Sequence, residues 1–166
     1  MKRILIIGCP GSGKSSCAKR LHKILHYPIL HLDRIFHIDN KHQITRDELS
    51  VKITEFISKN ETFIIDGNYT NTLTLRMQHA DTILYFDIDR DTCIQNVINR
   101  TKSGIPREDI APKFDNTILD PKFIEYIQSF PINNIPRIDK MLENYSGRII
   151  KIKHYDELEA FYDSIL

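Results

Sequence analysis

The chain has 166 residues, 41% of them hydrophobic and 27% charged, with 23 Lys and Arg against 22 Asp and Glu for a net charge of +1. That length supplies one good core and falls short of two ordinary domains, so a single domain over residues 1–166 is expected. The near-neutral balance, without a dense Lys/Arg stripe, argues against direct nucleic-acid binding, and no apolar run approaches the length that spans a bilayer.

Met1-Lys2-Arg3 leads directly into an apolar run, Arg3 to Ile7, which reads as a fully buried first strand. Without an h-region or cleavage site nothing directs export, and the cytoplasm is the expected compartment. Gly8-Cys9-Pro10-Gly11-Ser12-Gly13-Lys14-Ser15 follows and fills every fixed position of the phosphate-loop pattern G-x-x-x-x-G-K-[ST]. From Ser16 the period turns helical, so the motif lies between a strand and a helix, as a phosphate loop must. Its glycines allow successive N–H groups to face one concavity, to which the helix adds the positive end of its dipole. Gly8, Pro10, Gly11, Ser12, Gly13, Lys14, Ser15 and Ser16 are therefore the expected binding residues for a nucleoside triphosphate, taken as ATP. Lys14 reaches the β and γ phosphates, and the Ser15 hydroxyl ligates a bridging Mg2+. Cys9, Cys17 and Cys93 are odd in number, widely spaced and without a C-x-x-C pair, the pattern of packing residues.

The first helix runs from about Lys14 to Leu25, with Cys17, Leu21, Ile24 and Leu25 on one face. Pro28 to Leu32 is a second strand that delivers Asp33 at its carboxyl end, the edge where open α/β sheets bind ligands. Residues 34–60 form an acceptor-side insertion: a polar loop, then the capping box Thr45-Arg46-Asp47-Glu48 and a helix with Leu49, Ile53, Phe56 and Ile57 inward. His31, His37, Asp39 and His42 fit no strong ligand spacing and read as part of a solvated loop. A third strand, Thr62 to Ile65, ends in Asp66-Gly67-Asn68-Tyr69; Asp66 is placed to hold Mg2+ opposite Ser15, and Gly67 lets the chain turn sharply.

Residues 71–79 read as a short helix bearing Arg76, Thr82 to Asp87 as the fourth strand, and Asp89-Arg90-Asp91 as the cap of a helix that reaches Arg100. Residues 101–121, with Pro106, Pro112, Pro121, Lys102, Arg107 and Lys113, have the character of a mobile basic lid. Lys122 to Phe130 is a helix expected to stop at Pro131, and Ile135 to Tyr145 another, with Arg137 near its start. Arg148 to Ile152 is the fifth strand, and Asp156 is expected to cap the closing helix that carries Leu158, Phe161, Tyr162 and Ile165.

Strands alternating with helices imply a three-layer α/β fold, a parallel sheet with helices on both faces. Two insertions, one to hold an acceptor and one to close over the triphosphate and expel water, suit a group-transfer enzyme. In that reading Lys14 stabilises the transferred group, Asp33 orients or deprotonates the acceptor hydroxyl, and Arg76, Arg100, Arg107 and Arg137 are candidate phosphate contacts.

Gly8 to Ser15, the strand-end Asp33, the Asp66-Gly67 pair, the helix ending at Arg100 and the lid-like stretch together resemble the adenylate-kinase-like family of P-loop NTPases. His31-Leu32-Asp33, Ile65-Asp66-Gly67-Asn68-Tyr69 and Ala80-Asp81-Thr82-Ile83 resemble its branch labelled DNA topology modulation proteins. The resemblance implies a five-stranded sheet ordered 2-3-1-4-5, ATP as phosphoryl donor, Mg2+ as cofactor, and a small-molecule acceptor held near Asp33. Adenylate kinases follow the Asp-Gly pair with an aromatic, proline and arginine; Asn68-Tyr69-Thr70 stands here, which argues against AMP as acceptor. The branch label carries a second reading, an ATP-binding regulator of DNA topology with vestigial kinase chemistry, and a plain NTPase is a third.

Overall fold

The computed structural model describes residues 1–165. Five strands, β1 (Arg3–Gly8), β2 (Ile29–His31), β3 (Phe63–Asp66), β4 (Thr82–Phe86) and β5 (Arg148–Ile152), form one sheet in the order β2-β3-β1-β4-β5. Every pairing is parallel, as the alternation with helices requires. The inner strands β1, β3 and β4 are buried on both faces, which is why they read as unbroken apolar runs.

Eight helices connect and cover the strands: α1 (Lys14–Leu25), α2 (Leu32–Phe36), α3 (Arg46–Lys59), α4 (Thr70–Met77), α5 (Arg90–Ser103), α6 (Pro121–Asn133), α7 (Ile135–Leu142) and α8 (Tyr155–Asp163). α1 packs on β1, β2 and β3 through Cys17, Ala18 and Leu21, while α8 packs on β5. No helix among the described residues is long and apolar enough to cross a membrane.

The strands end together, so the register fixes what meets at the carboxyl edge. Ile6 and His31 flank Asp66 in the ladder, and Gly8 pairs with Phe86. At the opposite edge the Asp81 carboxylate accepts the N–H groups of Lys2 at 2.9 Å and Arg3 at 3.0 Å and the Thr82 hydroxyl at 2.7 Å, pinning the start of β1 beside β4.

Several elements depart from the pattern read in the sequence. β2 stops at His31, and Asp33 lies in the first turn of α2, a helix too short to show periodicity. α5 continues to Ser103, taking the first residues of the supposed lid, and Pro121 is the first residue of α6, with Asp120 as its cap. Pro131 does not stop α6. Proline removes one donor, yet the Asn134 N–H reaches the Phe130 carbonyl at 2.9 Å and the buried Ile127 and Phe130 hold the turn in place. α7 ends at Leu142 rather than Tyr145, and α8 begins after His154 rather than at Asp156, with Glu157 accepting the N–H groups of Lys153 and His154.

The α3 capping box forms as read: Thr45 Oγ1 accepts from the Glu48 N–H at 3.2 Å, and Glu48 Oε2 accepts from the Thr45 N–H at 2.8 Å. Thr45→Ala is expected to cost about 1 kcal/mol, a fall of roughly 2–4 °C in Tm for a chain of this size. A calorimetric scan showing no loss would place the stability of α3 entirely in its packing.

Candidate functional site

The phosphate loop joins β1 to α1 in a conformation that few side chains could share. Gly11 has φ +83°, and a Cβ built on it would lie 2.3 Å from the Cys93 carbonyl of α5. Asn96 of the same helix donates to the Gly11 carbonyl and to the Tyr155 hydroxyl, both at 2.9 Å, so α5 and α8 brace the loop from outside. That brace is invisible to sequence pattern, because its members lie 59 to 85 residues apart. Within the loop the buried Ser12 hydroxyl has no hydrogen-bond partner. Lys14 Nζ donates to the Cys9 carbonyl at 2.7 Å. Burial pushes its pKa down, while the carboxylates of Asp66 and then Asp33 push it back up.

Asp66 is 4% exposed at the end of β3. Parallel partners project to one face, and His31 Nδ1 lies 2.9 Å from Asp66 Oδ2 as the register requires. His31 is thus a strand residue beside the phosphate loop, not part of a solvated loop. The other carboxylate oxygen, Oδ1, is buried without a partner. An orphaned anionic oxygen on a carboxylate close enough to act on Lys14 is a fitting ligand for a magnesium ion or for a water bound to it, with the half-buried Ser15 supplying the second protein donor of the pair.

Asp33 sits one residue past the buried Leu32 on α2, and the Tyr69 hydroxyl donates to its Oδ1 at 2.7 Å. Burial first, and then Asp33 itself, push the Tyr69 pKa up, so the phenol keeps its proton. Phe36, one turn after Asp33, packs edge-on against Tyr69 with ring centroids 4.9 Å apart. His37 continues the row at 5.3 Å from Phe36, and Phe114 from the lid lies 5.2 Å beyond His37. An i, i+3 pairing on a five-residue helix is invisible to periodicity, and nothing local ties Tyr69 to Asp33, 36 residues away.

The four arginines expected at phosphates are placed very differently. Arg76 is 0% exposed, and its guanidinium donates to the carbonyls of Gly67 at 2.9 Å, Asn68 at 2.8 Å, Tyr69 at 3.0 Å and Thr72 at 3.3 Å. Its donors shape the turn after β3, and a phosphate could reach them only by displacing a carbonyl. Arg100, at the end of α5, makes no side-chain hydrogen bond among the described residues; burial and then Arg107 push its pKa down to about 10, against the pull of Asp109 and Asp33. Arg107 pairs with the buried Asp109, which Lys19 of α1 also reaches at 3.1 Å. Arg137 is exposed and donates to Asn71 Oδ1 at 3.3 Å.

The lid is latched to the acceptor-side insertion. Arg34 donates to the Glu108 carbonyl, Asn40 exchanges hydrogen bonds with the backbone of Asp115 at 2.9 and 2.7 Å, and the backbones of Asp39 and Lys113 meet in an isolated parallel β-bridge. Phosphate loop, strand-end carboxylate and sheet order together define the fold of the P-loop kinases. No protein-family model matches the chain, and no curated protein matches it. Among solved structures it is similar to a deoxyadenosine kinase from M. mycoides, determined with the products dCMP and a flexible dCDP bound. The two share 12% sequence identity at a TM-score of 0.55, with 98% of this chain and 97% of that chain covered. The likeness is one of fold, and it lends nothing to the DNA topology modulation branch.

Gly11→Ala is expected to weaken ATP binding about tenfold or more, since a side chain forced into this conformation costs about 1–3 kcal/mol. Titration calorimetry of the variant checks it. Affinity retained within twofold would show that this loop conformation is not required for nucleotide binding.

Proposed function

We propose that the protein is a phosphotransferase that moves the γ-phosphoryl group of ATP, bound with Mg2+, to a hydroxyl of a small nucleotide, nucleoside or other metabolite. The observation that carries this reading is the convergence of Lys14 with two differently held carboxylates, Asp66 on His31 and Asp33 on Tyr69. A loop that only binds a nucleotide has no use for the second carboxylate. The fold shared with a deoxyadenosine kinase supports a small-molecule acceptor.

In this reading the loop N–H groups and Lys14 hold the β and γ oxygens, with Gly8, Pro10, Gly11, Ser12, Gly13 and Ser16 forming the cradle. Ser15 and Asp66 would hold a magnesium ion, which would supply positive charge to the phosphates when bound. Asp33 accepts the acceptor hydroxyl's hydrogen bond and takes its proton as the new O–P bond forms. The bond from the γ phosphorus to the β–γ bridging oxygen breaks, and ADP departs. Arg100, with Arg107 behind it, neutralises charge on the group in flight, while Arg76 acts at a distance by holding the turn that carries Tyr69. The latched lid keeps water from taking the phosphoryl group.

The test is transfer from γ-labelled ATP with Mg2+ to a panel of hydroxyl compounds. Lys14→Ala is expected to abolish ATP turnover, and Asp33→Asn to lower transfer by about 10²- to 10⁴-fold, the usual contribution of a positioned base, while ATP binding persists. Normal turnover by Lys14→Ala would overturn the reading.

A further inference from the structure

From the way α5 is seated on the phosphate loop, we infer that Cys9 and Cys93 form a modification site, a dithiol that hydrogen peroxide converts to a disulfide, and that the disulfide lowers the affinity of the loop for ATP. The inference goes beyond the phosphotransferase reading and needs from it only that the loop binds the triphosphate.

The pair is assembled by the sheet order. β1 lies beside β4 with Gly8 opposite Phe86, so the residue after Gly8 and the helix after β4 emerge side by side. Cys9 is that residue, and Cys93 closes the first turn of α5, its N–H on the Asp89 carbonyl at 3.1 Å. The Cys93 backbone presses so closely on the loop that a Cβ built on Gly11 would lie 2.3 Å from its carbonyl. Cys9 is 5% exposed and Cys93 0%, and their side chains hydrogen-bond to each other. The third cysteine stands apart, with the Cys17 thiol hydrogen-bonded to Tyr162 of α8.

The two sulfurs are not equivalent. The hydrogen bond from Cys9, with Lys14 nearby, pulls the Cys93 pKa down against burial and Asp89, while the same hydrogen bond and then burial push Cys9 up. Cys93 is thus the thiolate that attacks, and Cys9 the partner that keeps its proton. The step balances with hydrogen peroxide as the two-electron oxidant. The Cys93 sulfur bonds to one peroxide oxygen, the O–O bond breaks, and the departing hydroxide takes up the proton that Cys93 gave up, leaving a sulfenic acid. The Cys9 sulfur then bonds to the Cys93 sulfur, the S–O bond breaks, and the Cys9 proton leaves with the hydroxyl as water. Two thiols become one disulfide, and one peroxide becomes two waters. Burial of both sulfurs selects an oxidant of this size over bulky disulfides.

A covalent bond is shorter than the hydrogen bond it replaces, so oxidation draws Cys9 toward α5. The loop cannot follow as a body, because Gly11 already rests against the Cys93 carbonyl. The movement falls on the Cys9 peptide, whose carbonyl accepts from Lys14 Nζ at 2.7 Å and from the Ser12 N–H at 3.2 Å. Both partners belong to the triphosphate cradle, and a strained backbone there weakens ATP binding by about tenfold or more.

The experiment treats the full chain with hydrogen peroxide, caps the remaining thiols and maps disulfides by mass spectrometry without reduction. ATP affinity is measured by titration calorimetry before oxidation, after it, and after dithiothreitol. The expected result is a linked Cys9–Cys93 peptide, a dissociation constant for ATP raised about tenfold or more, and recovery of both thiols and affinity on reduction. Cys17→Ala is expected to respond as the unaltered chain does, and Cys93→Ala to keep its ATP affinity under peroxide. The linkage is read in the unaltered chain, so the test does not depend on Cys93→Ala folding. Free Cys9 and Cys93 thiols after peroxide, a link between two chains, or a linked loop that binds ATP within twofold of the reduced one overturns the inference and leaves the phosphotransferase reading intact. A reduced chain that binds no ATP overturns both.

Discussion

A carboxylate buried at the end of β3 governs the arrangement of this protein. Asp66 is 4% exposed, and an unpaired charge at that depth would cost several kcal/mol. The chain surrounds it with compensation. His31 reaches one oxygen from the neighbouring strand, while Lys14 and Arg76 are the buried cations whose charge it supports most strongly. Each of those three then does a second thing. His31 ends β2 and positions the start of α2, Lys14 crosses the mouth of the phosphate loop, and Arg76 shapes the turn that presents Tyr69. The site is a consequence of neutralising one charge from three directions.

What could be read from the sequence was whatever is encoded locally or by a fixed pattern. The phosphate loop, the strand-end Asp66, the five apolar strands and the Thr45 capping box each occupy a few consecutive residues whose chemistry is self-contained. The sheet order came from family resemblance, not from the strands themselves, since a buried strand does not state its neighbours. What escaped was set by tertiary context. α2 is stabilised by burying Leu32 under Gly67, where a Cβ on the glycine would come within 2.8 Å of the leucine, and neither residue announces the other. Arg76 looked like a phosphate ligand because arginine is usually exposed or paired. Its burial depends on three carbonyls pointing inward from a turn whose shape it creates.

The lid and the acceptor-side insertion meet through contacts of another character. Asn40 with Asp115, Arg34 with Glu108 and the backbone β-bridge between Asp39 and Lys113 lie near the surface, and only Ile110, Ala111 and Asp109 of residues 101–121 are buried. Ile105 and Ile118 stay 65% and 60% exposed. Such a segment holds its place with little apolar burial, so it opens at a small fraction of the cost of disturbing the sheet. Asp109 is the exception. Burial works against its charge, but Arg107 and Lys19 hold its carboxyl below the usual carboxylate range, tying the lid to α1 beside the phosphate loop. Residues 101–121 are thus anchored by a buried ion pair to α1 and held to residues 34–60 by polar contacts.

That asymmetry matches the distribution of charge across the site. Lys14 lies in the phosphate loop, while Asp33, Tyr69 and Phe36 gather at α2, with Arg100 near enough to Asp33 for the carboxylate to act on it. A shared fold does not decide such a division, because the same sheet and loop support many acceptors. The division is made by single side chains whose donors are either free or consumed. Arg76 turned outward would have offered a cation to an anion; turned inward it fixes Tyr69, and through Tyr69 the Asp33 carboxylate. One side chain thus exchanges a direct contact for control of geometry.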